Sequence, residues 1–353
     1  MTPPARERSG EGATAPLQRF DGELLARSLR FTLTVMAPVA AMLVTGPSPW
    51  LVFAMVAGIV AFAGDAGGMP LVRFGWMATG PLALCAGLLL GSLSLAHPLL
   101  VALFTMAAGF LYGMVETAHP HLLLATRFLA FGIVLAGLVV PPTAVDYAAI
   151  AVMLAFSWAV SLGFDAIRGR RTLSVPPAAS LLPGVEGRMS ERVAFGLAVA
   201  FAIGGALAIS GEAGATHPSW ACLTILMVMR SEIASSLRLS AERVVGTLGG
   251  VLVAAFIAHF GSEALMIAVM GVAAFIRWPA EQVHSTLGVF CLTLFVLLLV
   301  EIVTPDSRQA ALLLQERFTD TLIGAVAAAG GLLLFPALRK TSAWLGTTGS
   351  DAP

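Results

Sequence analysis

Residues 284–301 read HSTLGVFCLTLFVLLLVE. From Ser285 to Val300 no side chain carries a charge, and a helix needs roughly 20 apolar residues to cross the hydrocarbon core of a bilayer, about 30 Å thick. The stretch reads as a membrane span. Working outward, the same criterion gives eleven further spans at about 30–45, 50–64, 77–93, 97–115, 124–140, 146–164, 193–210, 218–230, 244–259, 263–278 and 311–336. The expected fold is an all-α integral membrane protein with about twelve transmembrane helices.

Composition agrees. Of 353 residues, 58% are hydrophobic and 11% are charged, against roughly 45–50% and about 25% in a soluble domain. A formal net charge of +0 gives no reason to expect nucleic acid as a partner. Cys85, Cys222 and Cys291 fall inside spans without a CxxC pair and read as packing residues. Residues 1–29 mix Arg6, Arg8, Arg19 and Arg27 with acids, prolines and glycines, so a disordered cytoplasmic tail is expected and not a signal peptide.

Basic residues orient the spans. Cytoplasmic loops hold the excess of Lys and Arg, and with twelve spans and both termini cytoplasmic, eighteen of the twenty basic residues fall inside. Arg308 and Arg317 are the exceptions. Removing one span scatters the arginines over both faces. The expected location is a bacterial inner membrane, crossed many times.

Sliding the second half onto the first by 170 positions pairs Trp50 with Trp220, Arg73 with Arg243, Gly80 with Gly250 and Gly91 with Gly261. The expected organisation is two parallel six-helix repeats, at 30–164 and 192–337, joined by a cytoplasmic linker at 165–191 and followed by a cytoplasmic tail at 338–353. An axis near the membrane normal would relate the copies and put a site between them. Chance matching in a glycine-rich apolar chain is the alternative.

Three motifs lie in the second half: W-x-x-L-T at Trp220, Leu223 and Thr224, R-x-x-G-T-x-x-G at Arg243, Gly246, Thr247 and Gly250, and R-x-x-D-T-x-x-G at Arg317, Asp320, Thr321 and Gly324. The pattern resembles the fusaric acid resistance protein family, which includes aromatic acid exporters and is similar to the plant aluminium-activated malate transporters. The motifs cover about 190–337, while the first half matches mainly in layout, Trp50, Arg73 and Gly80. The resemblance implies organic-anion efflux or conduction through a helical membrane domain, beside a periplasmic adaptor of the membrane-fusion type.

Arg317, Asp320, Thr321 and Gly324 share one helix face by their spacing. A charge deep in a bilayer costs on the order of 2.5–3.5 kcal/mol, so this face either borders a transport path or holds a pair that neutralises itself and caps the helix. Arg230, Arg238 and Arg243 crowd an inner loop with Glu232 and Glu242. A guanidinium holds a carboxylate through two parallel hydrogen bonds, which suits an acid arriving from the cytoplasm. An ordinary positive-inside loop is the alternative, and Arg243 stands out because Arg73 answers it. Trp220 either marks the headgroup zone or stacks on a substrate. The histidines at 119, 121 and 284 read as loop residues or a proton relay.

The single lysine, Lys340, follows no phosphate-loop pattern, and HExxH, GxSxG and metal-spaced cysteines are missing. No enzyme activity, cofactor or metal is expected. The leading expectation is a proton-driven secondary transporter that exports small organic acids, aromatic carboxylic acids above all, with the lipid bilayer and the anion as partners. A gated anion channel and a non-transporting envelope component that binds a partner or lipid remain open, as does homo-oligomerisation.

Overall fold

The computed structural model describes residues 22–46, 48–116, 120–138, 141–169, 189–212, 219–303 and 307–347. It does not describe the side chains at 137–138, 219, 233–234, 307–317 and 342–347. The expected tail at 1–21 and most of the linker, 170–188, lie outside the described residues.

Among the described residues there are twelve helices: α1 (Gly22–Thr45), α2 (Trp50–Ala63), α3 (Pro70–Leu93), α4 (Pro98–Val115), α5 (Pro120–Leu138), α6 (Ala144–Ile167), α7 (Met189–Glu212), α8 (Ser219–Val228), α9 (Ile233–Phe260), α10 (Glu263–Val283), α11 (Ser285–Val303) and α12 (Ser307–Thr347). Among the described residues none forms a strand. Nine of the helices are long and apolar enough to cross a membrane, and α2 and part of α5 form shorter apolar helices. The chain is a multi-pass α-helical membrane protein.

Local chemistry sets the helix ends. Pro70 and Pro98 open α3 and α4 at positions that need no amide donor. Thr143 and Asp146 form a capping box at α6, with the Thr143 amide 2.7 Å from Oδ2 of Asp146. Helix α1 is helical already at Gly22, before residue 30, and Glu23 stands in its first turn, where negative charge suits the helix dipole. Helix α12 runs past residue 337 to Thr347. Its 41 residues rise roughly 60 Å, about twice the hydrocarbon core. By contrast the 10 described residues of α8 rise only about 15 Å, short of a full crossing.

Within the first half, α2 packs on α1, α3 and α6, and α5 packs on α3 and α4. Within the second, α8 packs on α7, α9 and α12, and α11 packs on α9 and α10. Between the halves, α4 meets α7 and α1 meets α10, so the fourth helix of each half lies on the first helix of the other. The α4–α7 seam is backbone on backbone: a Cβ added at Gly113 would lie 2.6 Å from Cα of Gly196. Small residues at such a crossing let helices in lipid approach closely.

The starts of the odd-numbered helices and the ends of the even-numbered ones share one end of the bundle. Arg192 on α7 donates Nε to the Met114 carbonyl on α4 at 2.6 Å, and Ser231, just after α8, donates to Glu116, just after α4, at 3.0 Å. This is the end that gathers the arginines.

Candidate anion site

Arg73 and Arg243, which the expected repeat aligns, have opposite surroundings. Arg73 on α3 is 1% exposed and faces two carboxylates. Its Nε and Nη2 donate to the two oxygens of Asp65, each at 2.6 Å, and its Nη1 donates to Asp165 at the end of α6. Asp65 also accepts from Arg30 at 3.2 Å, from Ser161 at 2.7 Å and from the Gly67 amide at 3.0 Å. Gly67 adopts φ +70, a conformation open to glycine, and this folds the turn back over the carboxylate. Burial alone would push the Asp65 pKa up. The hydrogen bonds from Arg73 and Ser161, with the Arg73 charge, outweigh that and hold it below the usual carboxylate value. Arg73 is thus a brace that ties the turn after α2 to α3 and α6.

In the second half the charges differ. Arg243 on α9 has a buried Nε with no hydrogen-bond partner, and among the described residues no carboxylate pairs with it. The second residue after α2 is Asp65 and the second residue after α8 is Arg230, so these two turns carry opposite charges. Arg230 donates Nη1 to the Tyr112 hydroxyl at 2.8 Å, and that hydroxyl donates to the Met229 carbonyl at 3.0 Å. Over the Tyr112 ring, 5.6 Å from its centroid, lies the guanidinium of Arg127 from α5. Arg127 leaves Nε and Nη2 buried without partners. Arg127 and Arg230 therefore gather positive charge about Tyr112, where the first half meets the break after α8, and Arg243 is near enough to Arg127 for their charges to repel.

Beside this cluster lies a cavity of about 160 Å³. Arg243 and Arg277 line it together with Glu281, and Met227, Leu239, Val289 and Leu292 supply apolar wall. Arg277 sits over the rings of Trp278 at 4.4 Å and Phe31 at 5.1 Å, and its Nε is buried without a partner. A buried N–H donor left unpaired costs about 1–3 kcal/mol, more for a charged group. A carboxylate in this place would accept those hydrogen bonds and offset the clustered charge.

Of the residues singled out by sequence, the structure brings Arg230 and Arg243 to this region and gives Arg73 to the ion-pair brace. Arg238 points away: its side chain is 75% exposed and pairs with Glu242 at 2.7 Å. Trp220 is half-buried near the start of α8, its ring 6.3 Å from that of Phe131. Asp320 and Thr321 are fully buried on α12. One turn on, a Cβ added at Gly324 would meet the Ala221 carbonyl at 2.6 Å, so this face packs toward the start of α8 while the cavity lies at its end. The Arg317 side chain lies outside the described residues. Tyr112, Arg127, Arg277, Trp278, Asp65 and Glu281 escaped the sequence reading. Arg127 and Arg277 carried a usable signal, being arginines set within apolar runs, TRFLAF and FIRWP.

No curated protein and no solved structure matches the chain. Residues 198–330, which contain Arg230, Arg243, Arg277 and Asp320, match the family model described as fusaric acid resistance protein-like, the family that the motifs of this second membrane half resemble.

Proposed function

We propose that this protein is a secondary transporter of a bacterial inner membrane, with both termini cytoplasmic, that moves small organic acids outward, aromatic carboxylates foremost. The observation that carries the reading is Arg243: a guanidinium with a buried, unpartnered Nε, next to a cavity and, among the described residues, without a carboxylate in ion-pair contact. Arg73, aligned with it by the expected repeat, faces two. The substrate carboxylate supplies the countercharge, and the apolar wall of the cavity receives its body.

Outward release is driven in this reading by the proton gradient, with the buried Asp320 near the start of α8 as the exchanging group. A periplasmic adaptor of the membrane-fusion type is the partner the family resemblance suggests. Transport, not catalysis, is the proposed role.

The test is counterflow in proteoliposomes preloaded with unlabelled 4-hydroxybenzoate. Purified protein should accumulate labelled 4-hydroxybenzoate transiently, and Arg243→Ala should abolish the accumulation. A conductance without counterflow would make the protein an anion channel. Neither flux nor conductance, with a candidate adaptor also supplied, would overturn the reading.

A further inference from the structure

Resting on that reading, we infer that Glu281 is a tethered counter-ion, which holds the cavity at the end of α8 until a compact monocarboxylate displaces it. Two cations, Arg243 from α9 and Arg277 from α10, and this one acid line the space. The acid is not locked in. Nη2 of Arg277 lies 3.8 Å from Oε2 of Glu281, beyond hydrogen-bond length, and the Glu281 side chain is 43% exposed.

The same spacing along a helix makes a close pair elsewhere in this protein. Arg238 and Glu242, also four residues apart, meet at 2.7 Å with a hydrogen bond. Arg277 does not close on its acid because its guanidinium is held over Trp278 and Phe31. On the facing helix α11, Gly288 leaves the room the acid uses: a Cβ added there would lie 2.8 Å from Cβ of Glu281.

Charge around the cavity favours an incoming anion. Arg27, stacked 3.8 Å over Trp278, repels Arg277 from a neighbouring cavity, while Glu242 is committed to Arg238 and His284 follows Glu281 at the helix end. A ligand with one carboxylate takes Arg277 and Arg243, and Glu281 swings toward solvent. The cavity, about 160 Å³, is well below the roughly 300–1,000 Å³ of drug-sized sites, so its occupant is a single ring or short chain.

The experiment is calorimetric titration of benzoate into the purified full chain, as wild type, Glu281→Gln and Glu281→Ala, each checked by thermal melting. Loss of a tethered competitor should tighten benzoate binding roughly two- to fivefold, the size of a part-exposed ion pair. Gln keeps the side-chain volume, so it decides the matter if Ala unfolds. Equal or weaker binding by the variants, with the wild type binding, overturns the tethered counter-ion and leaves the transport reading standing. No binding by any of the three folded proteins overturns both.

Discussion

Tyr112 on α4 donates its hydroxyl hydrogen to the Met229 carbonyl 3.0 Å away, joining the first half of the chain to the backbone break after α8. The same oxygen accepts from Arg230 at 2.8 Å. One buried hydroxyl therefore satisfies a carbonyl that α8, ending at Val228, leaves outside its helix, and steadies an arginine of the candidate site.

Tyr112→Phe keeps the ring beneath Arg127 but removes both bonds. Leaving the Met229 carbonyl and an Arg230 donor without this partner should cost about 1–3 kcal/mol. Thermal melting in detergent should show a lower transition, and counterflow should fall because Arg230 loses its support. Unchanged melting would mean that another group takes up the carbonyl.

Arg73 and Arg243 should respond in opposite ways to the same substitution. Arg73→Ala strands the buried Asp65, and breaking a buried pair by removing one partner costs about 3–5 kcal/mol, so little folded protein should reach the membrane. Arg73→Lys should rescue it poorly, since an ammonium cannot reproduce the two-pronged contact. Arg243→Ala should leave yield and melting unchanged or improved while transport is lost. Arg238→Ala, at an exposed side chain, should alter neither. Membrane yield, melting and counterflow on the four variants decide between these outcomes.

Asp65 predicts the acid limit of the fold. Its folded pKa lies below the ordinary carboxylate value, so it contributes stability that is complete above its unfolded pKa of about 3.9 and is lost as pH falls through the lower folded value. Melting temperatures between pH 3 and 7 should therefore drop at the acid end. Asp65→Asn should be less stable at neutral pH and show a shallower acid dependence. A parallel shift of the whole profile would show that Asp65 does not carry the acid sensitivity.

The α4–α7 seam predicts a contrast between two glycines. Gly113→Ala drives a methyl against Cα of Gly196, which lies 2.6 Å from the new Cβ, and overpacking of this kind costs typically about 1–3 kcal/mol. Gly205 on α7 has nothing within 4 Å of an added Cβ, and Gly205→Ala should be neutral or stabilise by roughly 0.5–1 kcal/mol. Thermal melting of the two variants checks the seam without reference to transport.

Much of the architecture was readable because a span is a local property measured against a fixed length. The run from Ser285 to Val300 has to be buried in something apolar whatever its neighbours are, and the structure makes it part of α11. Helix ends were read less well, since features such as the Thr143–Asp146 box set them through polar contacts that a count of apolar residues ignores.

The sequence by itself determined that this chain crosses a membrane many times, and its spacing set up the expectation of a repeat that aligns Arg73 with Arg243. Only the tertiary structure decided what each arginine does. Asp165 reaches Arg73 across 92 positions, and Arg127 comes to lie over Tyr112 because α5 packs on α4. Whether a buried charge is already satisfied depends on which distant helices meet it, and no local pattern carries that information.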